Sequence, residues 1–519
     1  MSHLAFARRH CAFQTVLPTR IVMSMPFLRG FASSSVATKE KHVAVVGGGA
    51  AGFYAAARLM AKTSDVTVDI FERLPAPHGL VRYGVAPDHP EVKNCMNKFN
   101  GVARNPRVRF FGNVAIGGGT GELSLETLRS LYDGVVLSYG ASRDRQLGIA
   151  GEQGDGKRMG VVSARQFVAW YNGLPEAQNL EPDLESYDKI VIVGHGNVAL
   201  DCARILLTDP EVLATTDITE QALNVLRRSK IRHVELVGRR GPLQVSFTTK
   251  ELREMTKIPG LQIVTDVDLI SSECKTDEGG KFVHRFQPLR RMMVLLLEHA
   301  VPEADMSASG KTFKLSFLKS PTEVLFDQKW GPSGTIVPQV LRLQKNKLEG
   351  LPETAKALPI DEFVDIPCAM VLRSIGYEST PMEDIPFDSK RKIVPNIAGR
   401  VIDHNEDVVP GLYVAGWLKR GPIGVIASTM RHSYGTADAM VIDLANTDHE
   451  PRCASRADID AAFNNLGLLK SFVSNDDWRK LEAYEIEEGK KINKPREKVT
   501  STKEMLHIIR KYTTLPPSL

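Results

Sequence analysis

HVAVVGGGAAG, residues 42–52, is an apolar run that ends on three consecutive glycines. His42 to Val46 reads as a short strand buried on both faces, because no polar residue alternates with the β-branched ones. Gly47-Gly48-Gly49-Ala50-Ala51-Gly52 fits G-x-G-x-x-G, and Phe53 to Lys62 continues at helical spacing. Strand, glycine turn and helix therefore follow in the order of a dinucleotide-binding unit. Gly47 permits the tight turn, Gly49 lets the backbone approach a pyrophosphate, and Gly52 lets helix and strand pack closely. The helix N-terminus then faces the anion. A second apolar strand, Val66 to Phe71, ends in Glu72, where a carboxylate accepts hydrogen bonds from an unphosphorylated ribose.

The same order recurs downstream. Lys189 to Val193 is another buried-strand run, Gly194-His195-Gly196-Asn197-Val198-Ala199 is the variant fingerprint ending in alanine, and Ala199 to Leu207 supplies the helix. One strand later, His233 to Gly238 ends in Arg239-Arg240 rather than an acid. Two guanidiniums there fork onto a 2′-phosphate, so this site prefers NADPH to NADH. An acid at one ribose and arginines at the other imply FAD and NADPH bound in one chain, with hydride moving between them.

The fingerprints lie about 150 residues apart, a spacing that suits one nucleotide domain inserted into another. The expected class is α/β, two Rossmann-like dinucleotide-binding domains with the NADP domain inserted into the FAD domain, as in glutathione reductase. Residues 39–141 and 371–519 are assigned to FAD and 142–370 to NADP. Residues 244–300 read as largely helical, and 301–360 as short polar strands forming a lid-like or sheet extension. Cys368 to Tyr377 reads as a buried strand returning to the first domain, and Gly411 to Trp417 as another. The latter runs into Gly421-Pro422-Ile423-Gly424-Val425-Ile426-Ala427, whose glycines can bring helix-opening amides against a flavin ring. From Trp478 to Lys498 lysines and glutamates alternate, the pattern of a solvated helix face.

Lys+Arg 66 against Asp+Glu 61 over 519 residues leave a net charge of +5. Residues 1–41 hold Arg8, Arg9, Arg20, Arg29, Lys39 and Lys41 against Glu40 alone, so the remaining body is formally neutral. An arginine-rich, acid-free, serine-containing start through residue 38 is the composition of a mitochondrial transit peptide. A hydrophobic fraction of 43% and a charged fraction of 24% are those of ordinary globular domains. No apolar run reaches the roughly 20 residues of a membrane helix, which leaves peripheral contact as the only membrane association. The six cysteines, at 11, 95, 202, 274, 368 and 453, form no C-x-x-C unit. That pattern supplies neither a zinc site nor the cysteine pair of a disulfide reductase. No metal is expected.

HGLVRYGVAPDHPEVKN (78–94), VVLSYGA (135–141), FVAWYNGLPE (167–176), GHGNVALDCARILL (194–207), VGRRGPLQVSFTTKELREM (237–255) and GWLKRGPIGVI (416–426) carry a more specific signal. From about residue 42 to its C-terminus the chain resembles the NADPH:adrenodoxin reductase family of ferredoxin–NADP reductases. The resemblance implies a monomeric two-domain matrix enzyme, with peripheral contact at the inner membrane. It also implies delivery of electrons from NADPH through FAD to a [2Fe-2S] ferredoxin serving haem monooxygenases or iron–sulfur assembly. By position it places FAD contacts on Ala51, Glu72, Leu80, Ile116, Trp417, Gly424, Val425 and Ile426. NADP contacts fall on His195, Gly196, Asn197, Val198, Arg239, Arg240, Glu251 and Gly424. His195 departs from the vertebrate members, which carry glutamine there. His89 and Asp201 lie in family motifs near the flavin and suit a proton or water network. No side-chain nucleophile is required.

Ferredoxins of this kind are acidic, so the reductase needs a local positive surface. With Arg239 and Arg240 assigned to cofactor, Arg253, Arg285, Arg290 and Arg291 are the docking residues. Aromatic residues do not interleave with these charges, which argues against nucleic acid. The NADPH-oxidising subunit of glutamate synthase shares the architecture but would carry a cysteine-rich segment ahead of the first fingerprint, where only Cys11 stands. A non-catalytic flavoprotein would have little use for Arg239 and Arg240.

Overall fold

The glycine-terminated run forms strand Lys41–Val46, an interior member of a sheet whose neighbours are Val66–Glu72 and Gly134–Leu137, both parallel to it. The structure, a computed structural model, describes residues 40–513 apart from 118, 120–121, 158, 308–309, 331–333, 447–451, 454 and 468–471. The leader expected over 1–38 lies outside the described residues.

Two seven-stranded sheets dominate the described chain. In the first, Val108–Gly112 forms one edge, and Val408–Val414, Arg400–Ile402 and Asn396–Ile397 continue beyond Gly134–Leu137. Helices Ala50–Lys62 and Ile426–Asn446 pack on one face through Phe53, Leu59 and Met440. Leu125–Leu131 and Arg456–Asn465 pack on the other through Leu128, Ile459 and Phe463. Strands covered on both faces need the continuous apolar runs seen in the sequence.

The second sheet runs Ala300–Val301, Leu261–Thr265, Lys311–Ser316, His233–Val237, Lys189–Val193, Met370–Arg373 and Val161–Ser163, all parallel. Two expectations change here. The run at 368–377 does not return to the first domain: Val371 pairs with Val161 and Val191 in the second sheet. The boundary placed between 370 and 371 therefore moves beyond Arg373, because an apolar, β-branched run fits either buried sheet equally well. Leu261–Thr265 is a strand inside the stretch read as helical.

The stretch expected as short polar strands instead forms three long antiparallel ones, Lys319–Trp330, Thr335–Glu349 and Lys356–Cys368. Val324, Leu341, Leu343 and Ile366 turn inward onto Val191, Val193, Val237 and Val371. They cover the second sheet's free face, where each buried aliphatic side chain contributes about 1.5–3 kcal/mol. It is a structural layer, not a lid.

The chain crosses between the two sheets at Arg143–Asp144 and again at Tyr377–Glu378, and the crossings pair antiparallel, Asp144 with Tyr377 and Arg143 with Glu378. This double neck is braced by an Arg165–Asp144 ion pair at 3.1 Å.

Candidate functional site

Helix Ala50–Lys62 begins at Gly49 without a side-chain cap, so its first amides are free to meet an anion. Gly47 has φ +110°, and a Cβ there would lie 2.7 Å from the Ser138 backbone. A Cβ at Gly52 would strike the Gly47 carbonyl at 2.2 Å, whereas one at Gly49 would meet nothing within 4 Å. Two glycines close the turn, and the middle one leaves room for a ligand. Glu72 accepts the Gly48 N–H at 2.9 Å and the Leu74 N–H at 3.1 Å. Burial, opposed by these backbone donors, raises its carboxyl above the ordinary value. Glu72 thus holds the glycine loop at the end of its strand.

The other FAD positions converge on this loop. A Cβ at Gly79 would lie 3.3 Å from Gly49 Cα, which sets Leu80 beside the turn. Val114 donates to the Glu72 carbonyl, and Ile116 follows two residues later. Gly416, with φ +69°, abuts Ala51 so closely that a Cβ would come within 2.5 Å of it. That contact brings Trp417, whose ring lies 5.3 Å from Tyr377, against the first helical turn. Helix Ile426–Asn446 opens just after Gly424 (φ +89°), and Val425 and Ile423 are 61% and 72% exposed. An uncapped helix end, a cradle open at Gly49 and exposed apolar groups at the rim fit a flavin dinucleotide.

In the second loop Gly194 has φ +125°, and its missing Cβ would strike the Ser374 carbonyl at 2.2 Å. Gly196 precedes the uncapped helix Asn197–Leu207, which carries Val198 in its first turn. The Asn197 Oδ1 accepts the Thr248 N–H at 2.8 Å. The His195 ring also turns inward. It packs against Phe317 and Phe247, with Nε2 3.1 Å from the Leu236 carbonyl. Burial lowers this imidazole to about 4, so it stays neutral and leaves the backbone amide for a phosphate. Arg239 and Arg240 are both exposed, and among the described residues neither has an ion-pair partner.

His89, Asp201 and Glu251 meet, with one nitrogen or oxygen from each within 4.8 Å of the others. Sequence reading missed the residue that joins the two carboxylates. Buried Arg204 reaches Asp88 at 2.5 Å, Asp201 at 2.7 Å and Glu251 at 3.4 Å, so it ties residue 88 of the first domain to the second. Its position three residues after Asp201 on one helix was the available signal. Burial raises the Asp201 carboxyl against the pull of Arg204, while burial and then the Asp201 charge raise Glu251. His78 was also missed. Its N–H donates to the Gly48 carbonyl at 2.7 Å, and burial followed by the Arg82 charge lowers its ring to about 3.

Of the docking residues, Arg253, Arg290 and Arg291 line one groove with Gln287, Val294 and Glu298. Arg285 lies outside it, paired with Glu353 at 2.8 Å and stacked on Phe286. Among the described residues no helix is long and apolar enough to cross a membrane.

Residues 41–257 match the family model described as pyridine nucleotide-disulphide oxidoreductase. The human protein named NADPH:adrenodoxin oxidoreductase, mitochondrial, is 46% identical over 92% of this chain and 93% of its own length. The Arabidopsis thaliana protein of the same name is 41% identical over 91% and 96%. Mycobacterium tuberculosis FprA, solved in complex with NADPH, superposes with a TM-score of 0.80 at 36% identity, covering 91% of this chain and 100% of that one.

Proposed function

The chain belongs to the NADPH:adrenodoxin oxidoreductase family, and from that premise we propose that its first glycine loop holds FAD, its second holds NADPH, and the Arg253–Arg290–Arg291 groove receives an acidic [2Fe-2S] ferredoxin. The protein is a FAD-dependent oxidoreductase of the mitochondrion that carries electrons from NADPH to an adrenodoxin-type ferredoxin. The division between sites rests on one observation above the rest. The strand after the first loop ends in Glu72, and the strand after the second, ending at Val237, is followed by the exposed pair Arg239 and Arg240. A carboxylate suits a bare ribose and guanidiniums suit a 2′-phosphate.

Bound FAD supplies the conversion between a two-electron nicotinamide donor and one-electron iron–sulfur acceptors. The chain's own contribution is placement. The two uncapped helix ends hold pyrophosphates, Glu72 fixes the first turn, and the neutral His195 ring sets the second without competing for phosphate. Asp201 and Glu251, both shifted upward by burial, gather with His89 around the Arg204 guanidinium. Arg253, Arg290 and Arg291 attract acidic side chains to one groove, with Val294 as an apolar contact. In this reading the enzyme works as a monomer in the matrix.

Steady-state reduction of a purified mitochondrial [2Fe-2S] ferredoxin tests it. NADPH should support turnover, with oxidised glutathione inert as an alternative acceptor. The triple variant R253E/R290E/R291E should raise the KM for ferredoxin at least about tenfold while NADPH still bleaches the flavin. An unchanged KM would remove the docking assignment.

A further inference from the structure

The charged tail is a solvated face only in part. Helix Asn475–Lys491 buries Trp478, Leu481 and Glu485, and helix Thr502–Thr513 packs Met505, Ile508 and Ile509 against them together with Leu74 and Tyr83 of the first domain. Between these helices, residues 492–501 lie in the crevice between the two nucleotide domains, where charges are buried but paired. Lys498, its side chain 1% exposed, reaches the Asp217 carboxylate at 2.9 Å and donates to the Asp217 carbonyl at 2.7 Å. Lys93 of the first domain reaches the other Asp217 oxygen at 2.6 Å. Glu497 accepts the Glu220 N–H at 2.9 Å, and Lys494 pairs with Glu497 and, at 3.7 Å, with Glu220.

On the first-domain side the same tail is anchored under the first glycine loop. Glu485 pairs with buried Arg82 at 2.5 Å and accepts the Val499 N–H at 3.0 Å. Arg82 lies over the Trp478 ring, and that ring meets His78, whose N–H holds the Gly48 carbonyl. Asp217 and Glu220 belong to the second domain, between its strands Lys189–Val193 and His233–Val237. One short segment therefore grips both nucleotide domains through contacts separate from the double neck at 143–144 and 377–378.

A double neck alone permits hinge motion of the inserted domain. Hydride transfer between two cofactors on different domains requires their reacting atoms within about 3–3.5 Å. We propose that residues 492–501 form an interdomain clasp, with Asp217, Lys498 and Lys93 as positioning residues that fix the second nucleotide site against the first for transfer. The clasp rests on the assignment of FAD and NADPH to the two loops. Buried ion pairs suit this task, because opening the crevice would strand charges that only this one arrangement compensates.

The test uses the full FAD-loaded protein with Lys498→Met, which leaves Asp217 paired to Lys93, and Asp217→Asn as the stronger lesion. Flavin content and affinity for adenosine 2′,5′-bisphosphate report each site separately. Anaerobic flavin bleaching by NADPH reports transfer between them. Both static measures should stay unchanged while the bleaching rate falls about tenfold to a hundredfold, and Lys498→Arg, which keeps the cation, should restore it. A bleaching rate unchanged in Lys498→Met, whatever happens to its melting temperature, would reduce the segment to scaffold and overturn the clasp. Should Asp217→Asn fail to accumulate, Lys498→Met decides alone. Failure of the parent protein to bleach would instead indict the cofactor assignment.

Discussion

At the scale of single residues, the cofactor preference proposed above turns on Arg239 and Arg240. Exposed, and without an ion-pair partner among the described residues, they are available to a 2′-phosphate, and charge-assisted hydrogen bonds contribute about 1.5–3 kcal/mol each. The double variant R239A/R240A should raise the KM for NADPH about a hundredfold to ten-thousandfold by that range, with little change in kcat or in the KM for NADH. Steady-state kinetics with both nucleotides would show it, and equal losses for the two would sink the phosphate role. His195 has a different signature. Its folded imidazole titrates at about 4 rather than 6.5 because it is buried. Between those values the unfolded chain binds a proton that the folded loop refuses, so its presence makes stability fall as pH drops from 6.5 toward 4. His195→Gln should flatten that part of the stability–pH curve; denaturant unfolding at several pH values measures the difference. The glycine turns were legible in the sequence because spacing after a strand dictates their backbone geometry. The inward His195 ring and the Arg204 bridge were not, since both depend on partners that folding supplies: Leu236 one strand over, and Asp88 in the other domain.

At the scale of elements, each glycine loop works only if its helix can sit close upon its strand. Gly52 is the contact that decides this for the first loop, with no space for a methyl group against the Gly47 carbonyl and Val45. Gly52→Ala should destabilise the protein by about 1–3 kcal/mol, the usual cost of overpacking, and should lower FAD retention after gel filtration. Gly49→Ala, facing open space, should keep the fold and weaken FAD binding. Melting temperature and bound flavin measured on both variants separate the two effects. Strand, turn and helix were readable here because period and punctuation agree. Sheet membership was less so, as residues 370–373 illustrate: their apolar run says that the strand is buried, while only pairing with Val161 and Val191 says in which sheet. The alternating charges after Trp478 misled for a related reason. Period-based reading treats lysine and glutamate as solvated, and a buried ion-pair network such as Lys498–Asp217–Lys93 has no local signature.

At the scale of the whole molecule, a neutral body carries a basic groove, and charge distribution rather than net charge sets the partner. Arg253, Arg290 and Arg291 are exposed, so the steering proposed for them is open to screening. Raising ionic strength from about 0.01 M to about 0.15 M shortens the Debye length from about 30 Å to about 8 Å. The KM for ferredoxin should climb across that range in the parent protein and much less in R253E/R290E/R291E, while flavin bleaching by NADPH stays level. In the proposed account, two domains joined by a double neck and a buried clasp give each nucleotide its own loop yet hold them in one frame. The most direct test mixes the FAD-loaded protein with NADPH, and separately with NADH, in the absence of oxygen, then adds oxidised [2Fe-2S] ferredoxin while flavin and iron–sulfur absorbance are followed. The expected result is flavin bleaching at far lower NADPH than NADH, followed by reduction of two ferredoxins per NADPH. Bleaching that ignores the 2′-phosphate, or bleached flavin that leaves ferredoxin oxidised, would contradict it.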